Sequence, residues 1–149
     1  MAQMKRPRLS TIETLDDFKL RLTFRNDSIF TVDFKPFFDE SVGLAPLRDP
    51  VEFAKASVDE WGWTVEWVER DIQIGSDTLW LDAQAQNAPD EQTRFFTGWR
   101  AKHGFGLKQA AEALGLTPRT ISAYSNGSRP IPKTVQLACI GWETLHKTA

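Results

Sequence analysis

The sequence predicts two domains: a small α+β domain built on antiparallel strands, then an all-α bundle of short helices. Three observations carry this. Apolar residues recur at every second position early in the chain and at spacings of three and four later. The change falls at "DAQAQNAPDEQ", a small, polar stretch that contains Pro89. The charge changes there too. Residues 1–89 carry ten Lys and Arg against sixteen Asp and Glu, and residues 90–149 carry eight against four. These signals place a flexible basic tail at 1–11, an α+β domain at 12–83, a linker at 84–89 and a helical domain at 90–149.

The elements follow in order. In "FKLRLTF" the residues Phe18, Leu20, Leu22 and Phe24 alternate with polar ones, and Phe30, Val32 and Phe34 do so in "FTVDF". Between them Asn26 and Asp27 tolerate positive φ, which makes a β-hairpin with one buried face. "DPVEFAKAS" reads as a short helix capped by Asp49, with Pro50 in its first turn. "WTVEW" alternates through Trp63, Val65 and Trp67, which places two tryptophans on one face, and all of Trp61, Trp63 and Trp67 are expected in the core. "SDTLWL" reads as another capped turn of helix near Ser76 to Leu81.

Beyond the boundary the period is helical. "DEQTRFFTGWRAKHG" has Phe95, Phe96 and Trp99 on one side, acids at its start and Gly104 at its end. In "LKQAAEALG" Leu107, Ala110, Ala111 and Leu114 form one stripe, and Gly115 closes the helix. Thr117 can then cap a third helix with Pro118 in its first position. Ile121 and Tyr124 face inward with Leu116, leaving Arg119, Thr120, Ser122 and Ala123 outward. "NGSRPIP" ends that helix, and Pro132 starts a fourth with Val135, Ala138, Cys139, Trp142 and Leu145 on its stripe.

Two short helices joined by a glycine turn, the second with a polar outer face whose one charge is Arg119, make a helix-turn-helix. Residues 95–142 resemble the lambda-repressor-like, Xre-type family. The resemblance rests on "AAEALGLTPRTISAY", the following "NG" and the proline before the next helix. It implies that the third helix enters the DNA major groove. Base readout then falls to Pro118, Arg119, Ser122 and Ala123. Phosphate contact falls to Arg100, Leu107, Lys108, Thr117, Asn126, Ser128, Arg129 and Lys133. Three positions depart from the family's habit. Leu107 stands where Gln is common, Ser125 where an acid often pairs with the first-helix arginine, and Pro118 where Gln or Arg is common. Arg119 is therefore the one strong base donor, and DNA shape is left a large share of any specificity.

The first part resembles a small bacterial domain-of-unknown-function family. The matching runs are "FKLRLTF", "VDFKPFF", "GLAPLRDPVEFAKASVD", "WTVEW" and "DIQIGSDTLW", over about residues 12–81. The resemblance implies an α+β fold with a hairpin. Relatives stand beside toxin–antitoxin pairs, which implies an alternative role as an antitoxin-like module that binds a basic partner protein.

Nothing in the sequence assembles a catalytic, cofactor or metal site, so no enzyme is expected. His103 and His146 sit at helix ends, where the helix dipole favours a cation. Cys139 lies on an apolar stripe, and one cysteine cannot build a disulfide or a multi-cysteine zinc cage. No secretory signal or membrane-length apolar run is present, so a cytoplasmic protein is expected. The expected function is a sequence-specific, DNA-binding transcriptional regulator. Its partners would be double-stranded DNA, a second copy in a homodimer, and a protein bound through the acidic first domain.

Overall fold

Strand β1 (Leu9–Leu15) opens the described part of the chain and pairs antiparallel with β2 (Lys19–Phe24). Strand β2 pairs in turn with β3 (Ile29–Asp33), giving the sheet order β1-β2-β3. The computed structural model describes residues 6–147. The expected basic tail thus ends before Leu9, which is buried, and Lys5 lies outside the described residues. Leu20, Leu22 and Phe24 are all buried on one face, as the two-residue period of a strand requires. Val32 stands opposite Leu20, and Phe30 opposite Leu22. The turn before β2 holds Asp17 and Phe18 at positive φ, 62° and 59°.

Helix α1 (Lys35–Glu40) follows and buries Phe38. The short helix α2 (Pro50–Phe53) is capped by Asp49, whose carboxylate accepts from the Val51 amide at 2.9 Å. A second antiparallel sheet is formed by β4 (Ser57–Val58), β5 (Thr64–Trp67) and β6 (Ile72–Gly75), with β5 central. The Leu9 amide donates to the Gly62 carbonyl at 2.8 Å, so β1 is stitched to the loop before β5.

Helix α3 (Ser76–Gln86) closes this core with Leu79 and Ala83. Aromatic rings fill the centre: Phe34 meets Phe53 at 5.4 Å and Trp67 at 6.0 Å, both edge-on. Burying each such side chain contributes about 1.5–3 kcal/mol. The Trp67 indole N–H is satisfied by the Phe53 carbonyl at 2.9 Å. On α3, burial pushes the Asp82 carboxyl up to about 6, and the charge of Glu40 adds to the rise.

The chain divides into two units between Ala83 and Gln84. Helix α3 runs through this point, so "QAQ", the first three residues of the expected 84–89 linker, is helical. Ala83 is buried, and alanine and glutamine favour a helix strongly enough to carry it to Gln86. Only residues 87–90 remain outside regular structure before the next helix.

The second unit has four helices: α4 (Glu91–His103), α5 (Leu107–Leu114), α6 (Pro118–Ser125) and α7 (Lys133–Leu145). Its core gathers Phe96, Trp99, Ala110, Ala111, Ile121 and Cys139, with Tyr124 and Val135 beside them. The alanines let α5 lie close to α6, the helix that it contacts most. Asp90 caps α4 by accepting from the Thr93 amide at 2.7 Å; these bonds hold its carboxyl below the usual range. Among the described residues no helix is long and apolar enough to cross a membrane.

Candidate nucleic-acid interface

The turn between α5 and α6 has three residues, Gly115, Leu116 and Thr117. Gly115 lies at φ 70°, a left-handed conformation that side chains resist. Leu116 turns inward onto the core. The Thr117 hydroxyl then accepts from the Thr120 amide at 3.3 Å and sits 2.9 Å from the Thr120 hydroxyl. With Pro118 in the first turn, this is a well-defined start for α6.

One face of α6 is fixed by burial. Ile121, Tyr124 and Ser125 are buried, which leaves Pro118 and Arg119 exposed and Ser122 and Ala123 half-buried. Among the described residues Arg119 has no ion pair, and the same holds for Lys108 and Lys133. Past α6, the Asn126 side-chain Oδ1 accepts from the Ser128 amide at 2.8 Å, and the Arg129 amide donates to the Ala123 carbonyl at 3.3 Å. The Arg129 guanidinium stands 5.6 Å from the Tyr124 ring centre. Exposed Asn126, Ser128 and Arg129 therefore sit on a compact loop beside the exposed side of α6.

Two expected contacts fall elsewhere. Arg100 is only 3% exposed, so it cannot lie along a phosphate backbone. Its guanidinium donates to the Ser125 hydroxyl at 2.7 Å and to the Phe105 carbonyl at 3.1 Å. Burial lowers its pKa to about 10, still well charged at neutral pH. Its signal was in the sequence: Thr93, Phe96, Thr97 and Arg100 occupy one helical stripe, and all four are buried. Leu107 departs from the α5 stripe and is exposed in the first turn of that helix, where its side chain offers no hydrogen bond.

The histidines and the cysteine form no reactive pair. His103 lies in the last turn of α4, edge-on to Trp99 and Trp142 and tilted against Phe105. His146 stacks on Trp142 at 4.2 Å. Cys139 is buried, and burial with the nearby Glu143 charge pushes its thiol up to about 12.

A family model described as a protein of unknown function, DUF2442, matches residues 9–85, more than half of the chain. The chain belongs to the DUF2442 family. The match starts at the first residue of β1 and ends inside α3, so it covers the two sheets and not the four-helix unit. No curated protein matches the chain. A crystal structure from Nitrosomonas europaea, that of a "putative DNA binding protein", is similar over both parts. It is 34% identical, the similarity covers 99% of this chain and 94% of that one, and the TM-score is 0.56.

Within the DUF2442 part the tryptophans divide differently from their expected place in the core. Trp67 is buried, but Trp61 and Trp63 are 59% and 39% exposed. Strand β5 begins only at Thr64, and Gly62 at φ 78° turns the chain just before it. Alternation along "WGWTVEW" therefore stops predicting burial at that glycine. Arg8, expected in the flexible basic tail, is instead held by this loop. Its Nε donates to the Trp61 carbonyl at 2.9 Å, and its guanidinium lies 4.6 Å over the Trp63 ring.

Proposed function

We propose that this chain is a sequence-specific DNA-binding transcriptional regulator. In this reading α4–α7 form a lambda-repressor-like helix-turn-helix, with α6 as the reading helix. The observation that carries it is the α5–α6 pair. A three-residue turn joins two short helices, and the second leaves Arg119 exposed in its first turn with no ion pair among the described residues. The Nitrosomonas europaea relative, similar along nearly the whole chain, supports the same reading through its description.

Arg119 reads bases, since a guanidinium matches the O6 and N7 acceptors of guanine. Lys108, Arg129 and Lys133 supply charge to phosphates, with Thr117, Asn126 and Ser128 as neutral donors. Arg100 acts through another group, tying α4 to Ser125 on α6. A single module with one strong base donor binds weakly, so a homodimer on two half-sites is part of the proposal. Leu137 and Ile140, exposed on α7, are candidate apolar surface for it.

The test is fluorescence anisotropy of the full chain on genomic fragments enriched by that chain, against scrambled DNA. Three cations that each neutralise a phosphate make affinity fall about 40-fold for a fourfold rise in salt. Equal binding to both DNAs, or binding indifferent to salt, overturns the reading.

A further inference from the structure

We propose that the loop Asp59–Trp63, with Arg8 and Arg25 beside it, is a docking site for an acidic segment of a partner protein. It does not rest on the DNA-binding reading. The site is built from the pairing of β1 with β2. Leu9 stands opposite Phe24, and the Arg25 amide donates to the Arg8 carbonyl at 2.9 Å, so the two arginines are cross-strand neighbours. Like charges placed so are destabilising. Both guanidinium groups converge on one acceptor, the Trp61 carbonyl, with Arg25 at 3.2 Å. Among the described residues neither has a carboxylate partner, although this half of the chain is rich in acids and pairs Arg21, Lys35, Arg48, Lys55 and Arg70 with them. Each guanidinium has five N–H donors, and one carbonyl cannot use them all. A carboxylate arriving there meets two cations at once.

The tryptophans beside them are exposed but rigidly held. The Asp59 carboxylate accepts from the Trp63 amide at 2.7 Å and the Thr64 amide at 3.0 Å. Burial opposes its charge, but these backbone bonds win and keep its pKa below the usual range. Gly62 is pinned to β1: a Cβ there would stand 2.3 Å from the Leu9 carbonyl oxygen. The loop therefore presents Trp61 on a backbone that is already ordered, which lowers the entropy cost of covering it. Exposed tryptophan beside arginine is the chemistry of interface hot spots.

Charge and geometry favour a protein partner over a nucleic acid. The guanidinium of Arg8 covers a face of Trp63 on which a base would stack. Residues 1–89 carry net charge −6, which opposes a long polyphosphate more than a short segment with a few carboxylates. The partner segment thus offers one apolar side chain to Trp61 and one or more carboxylates to Arg8 and Arg25.

The experiment selects random linear peptides on the full chain, then measures binding through tryptophan fluorescence. The recovered peptides should combine Asp or Glu with an aromatic or branched apolar residue. Their affinity should fall about tenfold or more in Trp61→Ala and in the double variant Arg8→Gln, Arg25→Gln. Trp61 is mostly exposed, so its variant should melt like the parent and keep the result readable. Single-stranded oligothymidylate serves as the nucleic-acid probe. The proposal is overturned by peptides that are neutral or basic, by selection that recovers none, by Trp61→Ala binding like the parent, or by oligothymidylate displacing the peptides.

Discussion

In the first unit Arg21 meets Glu13 at 2.7 Å, Lys55 meets Glu69 at 2.9 Å, and Arg70 meets Glu52 at 3.1 Å. In the second unit Lys102 is held by Glu143 at 2.7 Å, but Lys108, Arg119, Arg129 and Lys133 meet no carboxylate among the described residues. Exposed ion pairs add little stability, so the difference says little about what holds each unit together. It says what each surface can attract. A paired cation presents little net field, whereas an unpaired one keeps its full attraction for an anion. The second unit leaves its cations open around α6, and the first leaves Arg8 and Arg25 open beside two tryptophans.

The strongest break of this comparison is Ile121→Ala. Ile121 is fully buried between the helices of the second unit, so the change should cost about 2–5 kcal/mol. Thermal unfolding followed by circular dichroism should show the loss, and DNA binding should fail with it. A melting curve identical to the parent's would mean α6 is not packed as described.

Next in size is Arg119→Ala, which should cost about 1–3 kcal/mol on the preferred site and blur preference at one base pair. Anisotropy on the selected and the scrambled DNA measures it. If both affinities stay at the parent's values, the open cations of α6 serve some other anion.

Asp82→Asn sharpens the first unit. The folded carboxyl titrates near 6, above its unfolded value, because burial penalises the charge and Glu40 repels it. The sign follows. Well below pH 4 the group is neutral in both states and costs nothing; the penalty grows as pH rises from about 4 to about 6 and is constant above that. Discounted for its partial contact with solvent, it reaches about 1–2 kcal/mol at pH 8. The variant should melt higher than the parent at pH 8 and alike at pH 4. Equal melting at both values would show that water reaches the carboxyl freely.

The smallest effect is Arg129→Ala. It should weaken all DNA sequences alike and reduce the salt slope by roughly one phosphate contact. Loss confined to the selected site would move Arg129 from the charge group into the base-reading group.

Much of the fold was written in local pattern. The hairpin through Leu20 and Val32, the Asp49–Pro50 helix start and the turn at Gly115 follow from alternation, capping and backbone freedom. Strand β1 was hidden by a bulge. Leu9 opposes Phe24 and Ile12 opposes Leu22, with one extra residue between them on β1. Its apolar residues therefore stand three apart, and a search for alternation passes over them. Burial of Arg100 was legible from its stripe, but a charged residue type argues against a core position. The exposure of Trp61 and Trp63 was not legible, because only the backbone at Gly62 shows where the sheet face is left. For the candidate interface, residue types named α6 and its loop, and packing removed Arg100 from their company.

The bond from the Leu9 amide to Gly62 has a consequence for how the chain is made. With the Ser76 hydroxyl donating to the Pro7 carbonyl at 2.6 Å, it ties the start of the first unit to its final helix. Closing so long a loop costs entropy that local contacts cannot return, and pairings of this range slow folding. During synthesis β1 can pair with β2 early, but these two bonds wait until Gly62 and Ser76 have been made. Trimming the protein to begin at residue 12 would remove the bulge, the Arg8 stitch to Trp61 and both bonds of this clasp.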